Sequence, residues 1–393
     1  MKKKYIIIII LSLIIFFEPQ MFKEDTFTFI NKIDYIYKIL KLFFAGCISY
    51  LYLKHLKKIS GFVGLIMIMQ IITFISTIVN HGDIIRFIGP AITTFAMAMT
   101  AELIIKKNIL IEVLKPINKY FLVCYIINIV SIILVDFTSF NYISNNVYFL
   151  GIDNRFIFSF LPWIVSEGIV SYIENNKFSK RFYIILSLIE IVLLYRFSVS
   201  SMLVMLLFFL VGIQKINFQK YNNITFFSII LANISLCVFN VSKYFSRILS
   251  IFGRDITLSG RTFLWQGTIE SIKNNFLLGT GMKSLENDKM FFFETTAPHY
   301  LSWCKVQHPH NSFLAILYRG GVFCLLIYLF LIFECLRKLK INYINQVSKL
   351  LFISMVAIMI TSIFDTMDFA GLYFIFAFCW FIPFLGKGAG VND

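Results

Sequence analysis

Three arginines are the first candidates for chemistry: Arg155 and Arg196 lie at the predicted ends of apolar helices, and Arg261 lies in a long polar stretch between two such helices. A guanidinium is a planar fork of donors that binds phosphate through two parallel hydrogen bonds, so three of them together predict a phosphate-bearing ligand. Taken singly, each is also explained by contact with lipid head groups or by pairing with a nearby acid, as Arg155 could pair with Asp153. Polar and basic residues near these arginines complete the predicted substrate site: Asn154, Ser198, Ser200, Arg247 and Arg254.

Histidines crowd a single stretch, at His299, His308 and His310. A histidine titrates near neutral pH, so His310, predicted at a loop-to-helix junction, is a candidate general base, with His308 beside it in the substrate site. Asn311, also assigned to that site, or Ser312 would cap the next helix and place its positive end there.

Two other interpretations of these histidines stay open, namely ordinary loop residues or a zinc site that includes His299. The stretch has neither H-E-x-x-H nor a Cys/His array, which disfavours zinc, and we expect no metal and no other cofactor.

Four carboxylates are weaker candidates. Asp365 and Asp368 lie in one predicted turn, where we expect them to be solvated. Glu167 and Glu190 lie inside apolar runs, and a carboxylate there should face the interior of the helix bundle or lie near an interface.

The elements that must position these residues are membrane-spanning helices. The chain is 59% hydrophobic and 15% charged, whereas soluble domains are nearer half apolar and a quarter charged. This composition argues against a large soluble domain, disorder, a disulfide scaffold and a nucleic-acid binder. Apolar runs predict about twelve spans at 5–17, 36–53, 61–79, 84–105, 117–136, 156–173, 182–196, 199–213, 223–241, 311–333, 350–364 and 369–385. The predicted fold class is an all-α polytopic membrane protein, with residues 1–393 forming one integral domain.

The net charge of +15 mainly reports orientation. Most Lys and Arg residues fall in alternate connections on the side of the N-terminus, which predicts that this side is cytoplasmic. Glu18-Pro19-Gln20 follows the first apolar run instead of a small-x-small cleavage site, so we expect an uncleaved first span and both termini in the cytoplasm. Arginines 155, 196, 247, 254 and 261 then lie on the external side, the first two at span ends and the last three in the long loop.

One long external loop, residues 242–310, gives the protein room for chemistry. Its segment 262–275 alternates apolar and polar residues in a way that predicts an amphipathic helix, lying on the bilayer or capping the bundle. Gly279-Thr280-Gly281 predicts a turn after it.

The order of these motifs resembles the O-antigen ligase and polymerase family (Wzy/WaaL type). The resemblance rests on Gly260-Arg261-Thr262-x-x-Leu-Trp265, Leu278-Gly279-Thr280-Gly281, His310-Asn311-Ser312-Phe313 and Gly320-Gly321. Arg196-Phe-Ser198-x-Ser200-Ser201 and Phe149-Leu150-Gly151-Ile-Asp-Asn154 resemble further elements of bacterial polysaccharide polymerases. The chain departs from the family at Asn275-Phe276, where a proline often precedes the Leu-Gly-x-Gly turn.

The resemblance implies a family C type glycosyltransferase that uses lipid-linked donors without a nucleotide sugar or a metal. It implies that Arg196 and Arg261 bind the diphosphate and that His310 activates or positions the acceptor hydroxyl. The expected partners are undecaprenyl-diphosphate-linked oligosaccharides as donor and acceptor, the lipid bilayer, a flippase and a chain-length regulator, with no nucleic acid. The expected location is the bacterial cell membrane.

These expectations combine into a hypothesis of inverting polymerisation of lipid-linked repeat units into O-antigen or capsule on the outer face of the membrane. One alternative is a ligase that transfers a finished glycan to another acceptor. The other is a flippase or transporter of lipid-linked sugars, which would place charges near the membrane midplane and need no long external loop.

Overall fold

The protein is helical throughout the part of the chain that the structure describes. The computed structural model describes residues 1–23, 28–137, 147–212, 222–251, 255–296, 308–341, 345–367 and 371–385. These residues contain no strand, only an isolated bridge between Tyr148 and Gly151. Arg254, His299 and Asp368, all named by the sequence analysis, lie outside the described residues.

The helices follow one another with short connections over most of the chain. In chain order they are α1 (Lys3–Phe16), α2 (Thr28–Leu56), α3 (Gly61–Val79), α4 (Ile84–Lys106), α5 (Leu110–Phe137), α6 (Ile157–Asn175), α7 (Lys180–Tyr195), α8 (Val199–Leu206), α9 (Asn222–Cys237), α10 (Ser246–Ile251), α11 (Arg261–Asn274), α12 (Leu285–Thr296), α13 (Ser312–Ile341), α14 (Asn345–Phe364), α15 (Gly371–Trp380) and α16 (Ile382–Leu385). Short 3₁₀ turns occur at Gln20–Lys23, Asp153–Arg155, Leu207–Gly212 and Val241–Phe245.

Among the described residues, 7 helices are long and apolar enough to cross a membrane, and they lie within α2, α3, α4, α5, α6, α13 and α14. The chain is therefore an integral, polytopic membrane protein. Every predicted apolar run coincides with a helix. However, α1 and α7 have only 14 and 16 residues, and α8, α9 and α15 are also short, so the count of about twelve spans stays a prediction.

The sequence fixes several helix starts through local caps. The Ser60 side chain accepts a hydrogen bond from the Val63 amide at 3.3 Å, and Asp83 accepts one from the Arg86 amide at 2.9 Å. Such caps satisfy amides that have no partner inside the helix. The bundle packs α13 against α3, α14 and α15, and α6 against α5 and α14. Glu167 and Glu190, expected to face the interior, are both buried.

The predicted amphipathic helix is confirmed as α11. It packs against α9, α12 and α13 and buries Leu264, Trp265 and Ile272 in a small second core. Of the two expected placements, the structure shows the one in which this helix packs on the bundle.

The predicted turn at Gly279 and Gly281 docks against a break in α13. Gly321, with φ 68°, interrupts the helix and leaves carbonyls near the break without their usual partners. The turn supplies donors, because the Thr280 amide binds the Tyr318 carbonyl at 2.6 Å and the Gly281 amide binds the Arg319 carbonyl at 3.0 Å. Gly279 has φ 71°, and a Cβ there would lie 2.6 Å from the Gly321 nitrogen, so both the conformation and the space require glycine.

Candidate functional site

Arg196 is held at the end of α7 by an ion pair with Asp153. Its Nε donates to Asp153 Oδ1 at 2.9 Å and its Nη2 to Oδ2 at 3.3 Å. The guanidinium carbon also lies 4.6 Å from the centre of the buried Tyr148 ring. The bidentate pair and the ring fix the plane of the guanidinium, which prepares it to bind a planar or tetrahedral anion.

Ser198 contacts the same segment, through Asp153 and Asn154. Its hydroxyl is buried and lies 3.3 Å from the Asp153 carbonyl and 3.4 Å from Asn154 Oδ1, to which it can donate. Ser198 therefore orders the segment that carries Asn154 and Arg155. Ser200, in the first turn of α8, is half-buried. The carboxylate of Asp153, which the sequence also offers as a partner for Arg155, binds Arg196.

Arg261 is positioned by an unusual helix start. Leu258, Ser259 and Gly260 have φ values of 53°, 60° and 81°, and Asp255 stabilises this bend by accepting the amides of Thr257 and Ser259 at 2.9 and 3.1 Å. Arg261 then donates from Nε to the Phe364 carbonyl at 2.9 Å and from Nη1 to the Leu258 carbonyl at 3.2 Å. The first contact ties the start of α11 to the end of α14.

His310 meets Asp365 at that same end of α14. His310 Nδ1 lies 3.3 Å from Asp365 Oδ1, with side chains only 16% and 10% exposed. The Asp365 carboxylate also accepts the Thr366 amide at 2.7 Å, which fixes its position. A carboxylate at Nδ1 favours the tautomer with its proton on Nδ1, which leaves Nε2 as the atom able to accept a proton.

The backbone around His310 is strained and tightly braced. His310 has φ 49°, a left-handed conformation that L residues rarely adopt and that is common at functional sites. Ser312 braces the two loops together, because its hydroxyl donates to the Asp365 carbonyl at 3.1 Å and accepts from the Met367 amide at 2.8 Å. These bonds explain how the strained residue is kept in place.

Asn311 caps α13 as predicted. Its Oδ1 accepts the Leu314 amide at 2.9 Å, while its Nδ2 donates to Asn233 Oδ1 at 2.6 Å and to the Ile363 carbonyl at 3.0 Å. The side chain is fully buried, so it joins α13 to α9 and α14 and positions the neighbouring His310.

The expectation that Asp365 is solvated is wrong, because the residue is 7% exposed. Burial by itself would raise the pKa of Asp365, but the contact with His310 and the charges of His308 and Arg261 lower the pKa below its usual range. Asp365 is therefore an ionised carboxylate between a histidine and an arginine.

His308 stacks close to His310, with ring centres 4.4 Å apart, and its Nδ1 accepts the His310 amide at 3.3 Å. Burial, followed by the positive charge of a protonated His310, lowers the pKa of His308 well below its usual value, although Asp365 opposes this. The nearby charges of Arg155 and Arg319 also lower it, which places both arginines within electrostatic reach of the histidine pair. His308 is therefore neutral at physiological pH.

The structure thus gathers most of the predicted residues at one end of the bundle. Asp153 links Arg196 to the segment of Arg155, whose charge acts on His308, and the end of α14 contacts His310 through Asp365 and Arg261 through the Phe364 carbonyl. Arg247 is exposed on α10, and none of the contacts described above involves its side chain.

Two residues of the cluster have a larger place in the site than the sequence predicts. Asp365 was only a weaker candidate, because it lies 55 residues beyond His310 and meets it only in the folded bundle. Arg319 does carry a signal, since it is the one basic residue in the apolar stretch 311–333.

His308, His310 and Asp365 each offer a ligand atom within 4.8 Å of the others, so their geometry is compatible with a metal ion. Two imidazoles and one carboxylate match the donor set of a zinc site with an open position. The expectation of a metal-independent protein therefore needs a direct test with a chelator.

The chain was then compared with known proteins. The family model for O-antigen ligase matches residues 182–329, from α7 into α13. This range contains Arg196, Arg261 and His310, whereas Asp153 and Asp365 lie outside it. No curated protein and no solved structure matches the chain.

Proposed function

We propose that this chain, which belongs to the O-antigen ligase/polymerase family, polymerises lipid-linked oligosaccharide repeat units into surface polysaccharide. The observation that carries the proposal is the meeting of Arg261 and His310 at the end of α14, where Arg261 binds the Phe364 carbonyl at 2.9 Å and His310 lies 3.3 Å from the carboxylate of the next residue, Asp365. This arrangement brings a group suited to bind phosphate near a group suited to accept a proton, at the end of a membrane bundle where a lipid diphosphate would lie.

The donor is a glycan attached to a polyprenyl diphosphate such as undecaprenyl diphosphate. Arg196, fixed by Asp153 and Tyr148, and Arg261, fixed by the Phe364 carbonyl, bind the diphosphate, and Arg155 adds charge. These cations stabilise the negative charge that grows on the leaving diphosphate as the glycosidic bond breaks.

The acceptor is the terminal sugar of a lipid-linked repeat unit. Its hydroxyl oxygen attacks the anomeric carbon from the face opposite the diphosphate, while His310 Nε2 takes the hydroxyl proton. One carbon–oxygen bond forms as the carbon–oxygen bond to phosphate breaks, so the anomeric configuration inverts. Asp365 holds the imidazole and stabilises the imidazolium that forms.

No metal ion is needed for this displacement, because the arginines supply the positive charge at the diphosphate. Nor is a nucleotide sugar needed, because the donor already carries a leaving group. Residues 1–393 act as one integral domain of the family C type with about twelve spans, and residues 242–310 form its long loop.

In this proposal Arg155, Arg196 and Arg261 lie on the external face of the cell membrane, and both termini lie in the cytoplasm. Lys57 and Lys107 lie in connections at the other end of the bundle and Arg181 lies in the first turn of α7, as the rule for cytoplasmic ends requires. The working partners are the bilayer, the two lipid-linked substrates, a flippase that delivers them and a chain-length regulator.

The second candidate function is a ligase, which the name of the matched family favours. A ligase would use the same residues and transfer a completed glycan to another acceptor. Deleting the gene separates the two functions, because loss of a polymerase leaves single repeat units whereas loss of a ligase leaves full-length undelivered chains.

The test of the proposed function is complementation of such a deletion with Arg196→Ala and Arg261→Ala. We expect no polymer ladder from either variant and normal amounts of protein in the membrane. Arg337→Ala is the matched control, since Arg337 also pairs with a carboxylate, Glu334, at 2.6 Å, but at the opposite end of α13. A ladder of normal length from Arg196→Ala would contradict the proposal.

A further inference from the structure

Arg319 is a half-buried charged residue at a depth where the bilayer makes charge costly. It lies seven residues after the start of α13 at Ser312, which at 1.5 Å per residue is ~10 Å below the level of His310. Arg319 is half-buried, and its charge reaches His308. An arginine at such a depth normally faces a cavity or the bundle interior and marks a binding site.

A cavity of about 90 Å³ lies against Arg319, between α3, α4, α13 and α15. Most of its walls are apolar, and they include Met69, Phe87, Pro90, Ile316 and Leu372. The residues that line the cavity run from the ends of the helices, at Ser312 and Leu372, to the middle of α3 and α4, at Met69 and Thr94. The cavity therefore extends from the end of the bundle that carries the candidate site toward the middle of the membrane.

The upper wall of the cavity belongs to the candidate site. Ser312 and Thr366 line it, and these residues bind the backbone or carboxylate of Asp365. A molecule in the cavity would consequently lie directly beneath the His310–Asp365 pair, with Arg319 next to it.

A hydrocarbon wall with an arginine at its edge suits a molecule that carries phosphate on an apolar chain. A phosphate would be stabilised by the guanidinium, and hydrocarbon by the apolar side chains. An apolar cavity of about 150 Å³ can hold benzene, so on that scale 90 Å³ holds about four carbon atoms and must enlarge slightly to take a five-carbon unit. The flexible side chains of Met69 and Met282 line the cavity and can shift to enlarge it.

We propose that the Arg319 cavity binds the lipid end of the donor, with the first isoprene unit among the apolar side chains and the lipid-proximal phosphate at Arg319. This inference rests on the proposed function and adds to it. Arg196 and Arg261 would then bind the phosphate nearer the sugar, and the apolar walls of the cavity would let the protein select a prenyl diphosphate over a soluble one.

The test measures binding to the full-length protein in nanodiscs by calorimetry, with farnesyl diphosphate as the probe and inorganic diphosphate as its counterpart without a lipid. We expect Arg319→Gln to weaken farnesyl diphosphate binding by ~10-fold to ~100-fold, as loss of a charge-assisted contact should. Arg319→Lys should recover part of that loss, and Arg337→Gln, which alters an arginine at the far end of the same helix, should bind like the wild type.

Ala91→Leu tests the apolar part of the cavity. Ala91 lines the cavity, and the added side-chain atoms should weaken farnesyl diphosphate binding while binding of inorganic diphosphate stays the same. This arm also keeps the proposal testable if Arg319→Gln does not fold. Wild-type affinity for farnesyl diphosphate in a folded Arg319→Gln or Ala91→Leu variant would overturn the proposal.

Competition with phosphatidic acid distinguishes a prenyl diphosphate from a membrane phospholipid, since both carry phosphate on an apolar chain. If phosphatidic acid in the nanodisc displaces farnesyl diphosphate with equal affinity, the cavity is a general site for phospholipids and the assignment to a prenyl chain is wrong. Loss of polymer in Arg196→Ala with unaltered farnesyl diphosphate binding in Arg319→Gln would refute this inference alone. Arg319-dependent binding by a protein that makes no polymer would refute the proposed function alone.

Discussion

Replacing Asp365 by Asn tests whether the carboxylate acts through His310. The substitution keeps the shape of the side chain and removes its charge 3.3 Å from His310 Nδ1. At an effective dielectric constant of about 20, that charge stabilises an imidazolium by up to about 5 kcal/mol, which corresponds to a factor of 10³ to 10⁴ in rate. Because the amide oxygen can still accept the Nδ1 proton, we expect a smaller loss of kcat, of at least ~10²-fold, with little change in KM.

The assay is initial-rate polymerisation by the purified protein, with thermal unfolding measured on the same preparation. Asp288→Asn is the matched control, because Asp288 is a buried carboxylate that pairs with Arg86 at 2.6 Å instead of with a histidine. Asp365→Glu should restore part of the rate. The reasoning is refuted if folded Asp365→Asn loses less than about threefold of kcat, or if Asp288→Asn loses as much.

Three further predictions follow from the same geometry. Arg196→Lys should lower activity at least ~10-fold while the protein stays folded, because lysine cannot reproduce the bidentate contact with Asp153; steady-state kinetics would show this, and wild-type rates would contradict it. Gly279→Ala should lower the thermal unfolding temperature, since its Cβ meets the Gly321 nitrogen at 2.6 Å, whereas Gly46→Ala, with open space, should not; equal temperatures would show that the turn is not constrained. The pKa of His308 is lowered in the folded protein, so as the pH falls the unfolded chain binds the His308 proton before the folded chain does. The free energy of unfolding should therefore fall as pH drops below about 6.5, by up to ~1.4 kcal/mol per pH unit. Folded His308→Gln should flatten that slope between pH 6.5 and 5.5, where Asp365 contributes nothing because its pKa is lowered from an already acidic value; an unchanged slope would contradict the assignment.

The fold could largely be predicted from the sequence because lipid makes span signals strong and local. The predicted run 61–79 coincides with α3, and the run 84–105 matches α4 within one residue. Caps and turns were equally local, as Asn311 and Gly279 show. The number of membrane spans does not follow from helix length for α1 and α7, because tertiary packing also decides whether such short helices cross the membrane.

The candidate site could be predicted only in part. Arg196, Arg261 and His310 could be predicted because each lies beside turn residues, Arg196 at a span end and the other two in the long loop. Asp365 was misjudged because burial depends on how the loop before α13 packs against the end of α14, a contact that no sequence periodicity encodes. Arg319 was overlooked in an apolar run, although an isolated charge in such a run is itself a signal of function.

The central claim is that Arg261 and His310 together transfer a glycan from a lipid diphosphate without a metal. The most direct measurement is chain growth by the purified wild-type protein on a lipid-linked repeat unit, with and without EDTA, beside folded His310→Ala and Arg261→Ala variants. The account predicts a polymer ladder that survives EDTA in the wild type and is absent from both variants. A ladder from folded His310→Ala, or wild-type activity that EDTA abolishes and Zn²⁺ restores, would contradict it.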